Sequence, residues 1–349
     1  MLPIDGKTIR FLSRMGARGV LGQAVYDCAN DGMDFCVLSA DLARASGFDR
    51  FSKEYPDRII NAGIAEANMV GMASGLASSR TPVIATTWAT FASARVADQV
   101  RNYMGFMKSN VKLIGMDSGY ENNRFGYTHT NGPDISILGG IPNITIIAPS
   151  DGIEIYQAIK ATLEIQGPVY IRLTGGQTLP LIHKDSEYAF SIIESEIIRE
   201  GRDVLFISNG VILSNVMKVA DRLADEGYSC GVVNLHTINP TDMEFIDDYM
   251  DCQLIVTVEE HPAHGGIGSI VAQNLAARES HPRLEMICSK DTFTPAGSYG
   301  FALKYNGLDE ENMYERVRKN LSDRKPVRGG DEVTLISFVS ASCLRRWAA

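Results

Sequence analysis

The chain has 349 residues, 45% of them hydrophobic and 21% charged, with a formal net charge of −9. That length favours two domains over a single core, and the composition excludes wholesale disorder. The acidic balance disfavours nucleic-acid binding through a general basic surface, but leaves open an anionic small molecule, which needs only local donors and a metal.

In chain order, short β-branched runs alternate with longer amphipathic ones, the pattern of parallel α/β layers. Residues 15–31 read as a helix, 35–39 as a strand, and 59–61 as a second strand feeding a helix that begins near Glu66. Further strands are expected at 82–86, 111–115, 145–148 and 168–173. Helices are expected at about 92–108 and at 152–166, the second capped by Asp151. A polar stretch from about 175 to 200 breaks the rhythm and is read as the domain boundary. Beyond it come strand 203–208, helix 210–227, strand 229–235, helix 241–250, strand 252–259, helix 267–279, a short strand near 286–288 and a last helix at 309–321. The expected division is therefore residues 1–190, residues 191–321, and a tail over 322–349 that has no evident place in the α/β pattern.

The six cysteines (Cys28, Cys36, Cys230, Cys252, Cys288 and Cys343) show no CxxC pair or metal-ligand spacing. They read as reduced thiols of a cytoplasmic protein. The N-terminus has no apolar signal core and no run approaches transmembrane length, so no membrane role is expected.

The most informative stretch runs from Asn61 to Ala77, where Glu66 stands among glycine, alanine and methionine. Glycine in a helix costs on the order of 1 kcal/mol relative to alanine, so Gly63, Gly71 and Gly75 call for close approach to another helix or a ligand. A desolvated carboxylate there is expected to have a raised pKa, in the range useful for proton exchange. The plainer reading is a buried structural glutamate paired to a neighbour.

Three patches, taken together and in order, resemble the C-terminal portion of transketolase in the form where that enzyme is split into two polypeptides. They are Asn61–Met69, Thr87–Arg101 (TWATFASARVADQVR), and Gly126-Tyr127-Thr128-His129 with Asp134 shortly after. Val258-Glu259-Glu260-His261, followed by Gly265-Gly266-Ile267-Gly268, fits the same family, and the resemblance covers roughly residues 12–320. It implies a parallel-sheet pyrimidine-binding domain, followed by a transketolase C-terminal α/β domain, and thiamin diphosphate as cofactor. Glu66 matches the glutamate that bonds a ring nitrogen of the aminopyrimidine. Trp88 and Phe91 match aromatic positions that pack on that ring, although the family usually has phenylalanine at the first; their alternative is ordinary core packing at i,i+3. His129 matches a histidine that exchanges protons with substrate oxygens, with a structural hydrogen bond as its alternative. His261 is a weak candidate near the site, and His183, His236 and His281 read as surface or turn residues.

No Gly-Asp-Gly motif occurs in the 349 residues, and in the family that motif holds the Mg²⁺ bridging the diphosphate. The resemblance therefore implies that an N-terminal transketolase subunit supplies the metal ligands and that this chain is inactive alone. It further implies a cofactor between chains and an α2β2 heterotetramer. Met116, Phe125 and Gly175 fall where enzymes acting on sugar phosphates carry a histidine, an aspartate and an arginine. Arg172 lies on the preceding strand, where alternation could turn it away. Losing two charge-assisted phosphate contacts points to an unphosphorylated or otherwise modified ketose as the small-molecule substrate. The expected reaction is transfer of a two-carbon ketol unit to an aldehyde. The rivals are a beta subunit of a 2-oxoacid dehydrogenase, a deoxyxylulose-type synthase, and a non-catalytic scaffold.

Overall fold

The computed structural model describes residues 2–79, 81–130, 132–184 and 188–321, so the expected tail over 322–349 lies outside the described residues. Two sheets organise them. The first contains β1 (Cys36–Ser39), β2 (Ile59–Asn61), β3 (Val83–Trp88), β4 (Val111–Met116), β5 (Thr145–Ile147) and β6 (Val169–Arg172). The second contains β7 (Glu196–Arg199), β8 (Val204–Ser208), β9 (Cys230–Asn234), β11 (Leu254–Pro262) and β12 (Arg283–Ser289). The remaining strand, β10 (Thr237–Asn239), follows β9 in the chain but pairs antiparallel with β5, so the second half of the protein supplies an edge to the first sheet. The sheet orders are β10-β5-β6-β4-β3-β1-β2 and β12-β11-β8-β9-β7.

All other pairings in the first sheet are parallel, as are those of the second except β7 on β9. Parallel strands need crossovers, usually helical, and helices then cover both faces. Hence β4 and β6 are buried at every residue and do not alternate, each carrying one buried cation, Lys112 or Arg172, among its apolar residues. The helix Gly6–Asn30 packs along Gly152–Glu164, which Asp151 caps by accepting from the Glu154 amide at 3.0 Å.

Several expectations need correction. The helix expected over 92–108 is broken: a 3₁₀ turn at Ala94–Val96 follows Ser93 (φ −115°, ψ −84°), and Val100–Phe106 is π-helical. The segment expected as helix 241–250 is a 3₁₀ helix over Glu244–Tyr249. β7 lies inside the polar stretch, half-buried and therefore without a strong apolar signal, and β10 has only three residues. Helices Asp49–Glu54, Asp134–Gly139 and Tyr299–Asn306 have no counterpart among the expected elements.

The two sheets are tied together by buried polar groups. Arg172, at the end of β6, lies inside the protein: Nε is 2.9 Å from Asp134 Oδ2, and Nη2 donates to the Glu260 carbonyl of β11 at 2.7 Å. His183 and His236 are buried, against the expectation of surface or turn residues. His183 stands between Asp151, 3.0 Å from Nδ1, and Glu196, 2.7 Å from Nε2, so it bridges the capping residue of the first sheet's helix and β7 of the second.

Candidate functional site

Ligands of open α/β sheets collect at the carboxyl ends of the strands, and the residues singled out by sequence lie there. Glu66 opens the helix Glu66–Ala77 after β2, Trp88 ends β3, Phe91 sits in the helical turn Ala89–Ala92, and His129 belongs to the loop after β4. Gly63 (φ +72°) takes a left-handed conformation that suits glycine and turns the chain into the Glu66 helix.

Glu66 is buried, as its setting suggested, and it has a partner in this chain: Arg95 Nη1 is 2.9 Å from Oε1. The Arg95 guanidinium also lies 3.7 Å from the centroid of Phe91. The paired-glutamate reading therefore describes the isolated chain, and sequence reasoning gave Arg95 no role. The signal available was its spacing: Arg95 is four residues beyond Phe91, although the backbone between them is not a regular helix.

The aromatic groups form a connected set. Trp88 is 5.8 Å from Phe91, His129 is 4.9 Å from Trp88 and 5.6 Å from Phe91, and Phe125 is 5.5 Å from His129. His129 Nδ1 shares a hydrogen bond with Thr128 Oγ1 at 2.9 Å. A cluster of rings set tilted or edge-on to one another, a buried carboxylate at one end and a hydrogen-bonded imidazole together suit a planar heterocycle, with a proton-transferring group beside it. Phe125, in the position expected to lack an aspartate, is a member of this set that sequence reasoning did not assign.

Other candidates leave the site. His261 is fully enclosed; its Nε2 accepts from the Ser136 amide at 3.2 Å, and burial pushes it down to about 4, so it is a neutral structural group. Asp134 is buried against Tyr170 and Arg172, and so braces the core rather than facing a ligand. Gly265–Gly268 is a helix entry as expected, and Glu259 accepts from the Ile267 and Gly268 amides at 2.8 and 2.9 Å. Gly175 takes a left-handed φ of +116° that L side chains adopt only under strain, and a Cβ there would also press on the end of the Leu179 side chain.

The expected close approach at the glycines is absent within the chain. A Cβ at Gly75 would meet nothing within 4 Å, and one at Gly71 only the Tyr103 ring at 3.7 Å. That face lies open, and exposed apolar residues stand on the same segments: Ile64 (79% exposed), Leu76, Tyr103, Phe106 (83%) and Met107.

Comparison with known proteins gives consistent matches along the chain. The family described as "Transketolase, pyrimidine binding domain" matches residues 13–178, and "Transketolase, C-terminal domain" matches residues 194–313. A 6-deoxy-6-sulfo-D-fructose transketolase subunit of Clostridium sp. (strain MSTE9) is 34% identical over 294 residues, covering 84% of this chain and 90% of its own. An apulose-4-phosphate transketolase subunit of Actinobacillus succinogenes is 32% identical over 298 residues, covering 85% of this chain and 95% of its own. A solved structure of a split-gene transketolase, an inactive β4 tetramer, superposes with a TM-score of 0.77 at 28% identity, covering 88% of this chain and 98% of that one.

Proposed function

The chain belongs to the transketolase family, and from that premise we propose that it is the C-terminal subunit of a two-component enzyme. The proposed reaction moves a two-carbon ketol unit from a ketose to an aldehyde acceptor, in the cytoplasm. In this reading residues 1–190 form the pyrimidine-binding domain and residues 191–321 the C-terminal domain.

The observation that carries the reading is the seat of Arg95. A planar, hydrogen-bond-donating cation lies on the Phe91 ring and points at a buried carboxylate. An aminopyrimidine is planar and offers nitrogen to the same carboxylate, so Glu66, Phe91 and Trp88 fit the pyrimidine end of thiamin diphosphate. When bound, that cofactor supplies a carbanion-forming carbon able to cleave and form bonds beside a carbonyl. Glu66 would hold a proton at the ring nitrogen, Phe91 and Trp88 would keep the ring flat and exclude water, and His129 would move a proton at a substrate oxygen. Arg95 must leave its seat for this to happen.

The diphosphate and Mg²⁺ are assigned to a partner subunit, because no Gly-Asp-Gly occurs here. The open glycine face beside Glu66, flanked by Ile64, Leu76, Tyr103, Phe106 and Met107, suits burial against that partner, since contiguous exposed apolar surface marks interaction sites. An α2β2 assembly would pair two such sites. Among the described residues no helix is long and apolar enough to cross a membrane. The substrate proposed is a ketose without a phosphate, in contrast to the phosphorylated and sulfonated sugars in the names of the two relatives. The strand-end environment supports this: Met116 is buried, and Gly175 takes a left-handed φ of +116° that disfavours a side chain such as arginine.

The test is co-purification with a partner chain carrying the missing motif, with thiamin diphosphate and Mg²⁺ titrated into each chain and into the mixture. Binding only in the mixture is the expected result, followed by ketol transfer. Tight binding by this chain alone would overturn the split-site reading.

A further inference from the structure

Where the loop after β4 meets the second sheet, two adjoining cavities of about 570 and 410 Å³ share Glu121, Gly176, Gln177 and Tyr299 in their walls. The larger adds Ser214 and Asn215, and the smaller adds Asn122 and Arg124. Gly176 makes room for the acid, because a Cβ there would collide with the Glu121 carboxylate. Arg124 links the smaller cavity to the aromatic set: it lines the wall, and its guanidinium lies 4.6 Å from the centroid of Phe125, whose ring is 5.5 Å from His129.

The charges in this wall are unevenly satisfied. Arg18 is tied to the buried Asp117, and Lys218 lies 3.9 Å from Glu310. Glu260, on the neighbouring strand, accepts from Tyr299 Oη at 2.5 Å and from the Tyr120 amide at 3.1 Å. Arg124 is exposed and lies over the Phe125 ring. The Glu121 carboxylate has no hydrogen bond or ion pair among the described residues, and it faces the cavities. A carboxylate in that place accepts hydroxyl hydrogens, and it repels an anion brought beside it in a poorly solvated space.

We propose that Glu121 is a specificity-determining residue of this cavity, selecting a ketose whose far end carries neutral hydroxyls and rejecting one that ends in a phosphate. The Gln177 amide adds a donor and an acceptor, and Ser214 and Asn215, whose donors turn to the Val211 and Leu308 carbonyls, add acceptor oxygens suited to a polyol. Burial, reinforced by the nearby Asp117 and Glu260 carboxylates, pushes Glu121 up to about 7 against the pull of Arg18 and Arg124. Near neutral pH its protonated form donates to a substrate oxygen, while its ionised form accepts hydroxyl hydrogens and repels an anion. The assignment deepens the transketolase reading by naming the residue that selects its substrate class, and it rests on that reading only for turnover.

The experiment has two arms. In the first, the full chain, its Glu121→Gln variant and its Glu121→Ala variant are titrated with xylitol and with inorganic phosphate by ligand-observed NMR. Xylitol affinity should fall about tenfold in Glu121→Ala, and phosphate affinity should rise at least about tenfold in Glu121→Gln. Equal phosphate affinity in wild type and Glu121→Gln would overturn the proposal. In the second arm, the assembled enzyme is assayed with xylulose and xylulose 5-phosphate, and the kcat/KM ratio favouring the neutral ketose should drop at least about tenfold in Glu121→Gln. A complex that binds no thiamin diphosphate and turns over neither ketose would sink the transketolase reading, while the first arm would still decide Glu121.

Discussion

Arg95 and Glu66 form an ion pair across the candidate site, with Nη1 2.9 Å from Oε1, and only one of the two side chains is buried: 46% of Arg95 remains exposed against 4% of Glu66. The pair thus has a loose end. Arg95 can rotate into solvent, but its departure leaves the buried Glu66 carboxylate without a partner, so a ligand that takes the seat has to satisfy that carboxylate in turn. Glu66 cannot move without unpacking its helix. If the guanidinium holds the seat of the pyrimidine, Arg95→Ala should tighten thiamin diphosphate binding by the assembled enzyme, by about tenfold at most. Weaker binding, measured by calorimetry, would show that Arg95 contacts the cofactor instead. Glu66→Gln should cut turnover by about 10²–10⁴ while leaving the melting temperature of the isolated chain nearly unchanged. Near-normal turnover would remove Glu66 from the chemistry.

His129 is placed by its neighbours: Thr128 Oγ1 is 2.9 Å from Nδ1, and the Trp88, Phe91 and Phe125 rings surround the imidazole. A group that moves protons on substrate should be separable from one that binds cofactor. His129→Ala is expected to lower kcat by about 10²–10⁴ with thiamin diphosphate affinity within a few-fold of wild type. Thr128→Val, which frees the ring but keeps it, should cost roughly tenfold. Steady-state rates and a cofactor titration on the same preparations check both, and a loss confined to cofactor binding would count against proton transfer.

Strand alternation leaves room for Arg172 to point away from substrate, and its actual place is the junction of the two sheets. It satisfies Asp134, which is fully buried, and the Glu260 carbonyl. Removing one partner of such a pair leaves an uncompensated charge, at a cost of roughly 3–5 kcal/mol. Arg172→Met should therefore lower stability by that amount in a denaturant titration, and the Arg172→Met, Asp134→Leu double variant should recover part of it. Strictly additive losses would show that the two residues do not act as a pair.

What the sequence disclosed and what it hid differ in the range of the interactions involved. Strand β4 and the helix Gly152–Glu164 were legible because burial on both faces and an N-capping aspartate act over a few neighbouring residues. Glu66, Phe91 and His129 could be picked out through motif resemblance, and the structure sets their elements after the carboxyl ends of β2, β3 and β4 of the first sheet. The pairing of Glu66 with Arg95 could not be read, because it spans 29 residues and passes through a broken helix. β10 was hidden for a similar reason: three residues carry no periodicity, and only their partner in a different part of the chain makes them a strand. His183 reads as a surface or turn residue because nothing local shows that Asp151 and Glu196, from two different sheets' elements, close around it.

That enclosure makes the joint between the domains pH-sensitive. Burial alone would lower His183, but the Asp151 and Glu196 carboxylates outweigh it, with Glu154 adding to their effect, and hold it up to about 10 from an ordinary 6.5. Tyr188 stacks on the ring with centroids 3.9 Å apart and brings no opposing charge at neutral pH. A folded-state value above the unfolded one means that folding is favoured by the protonated form. The contribution is complete below about 6.5 and disappears as pH rises through about 10. Thermal melts from pH 6.5 to 10 should therefore fall more steeply for the wild-type chain than for His183→Asn, which keeps a hydrogen-bonding group but cannot take the proton. Parallel curves would mean that the imidazolium is not what closes the joint. A variant that melts lower at pH 6.5 and converges with wild type near pH 10 would place the stabilisation on the charge itself, since loss of packing alone would persist across the whole range.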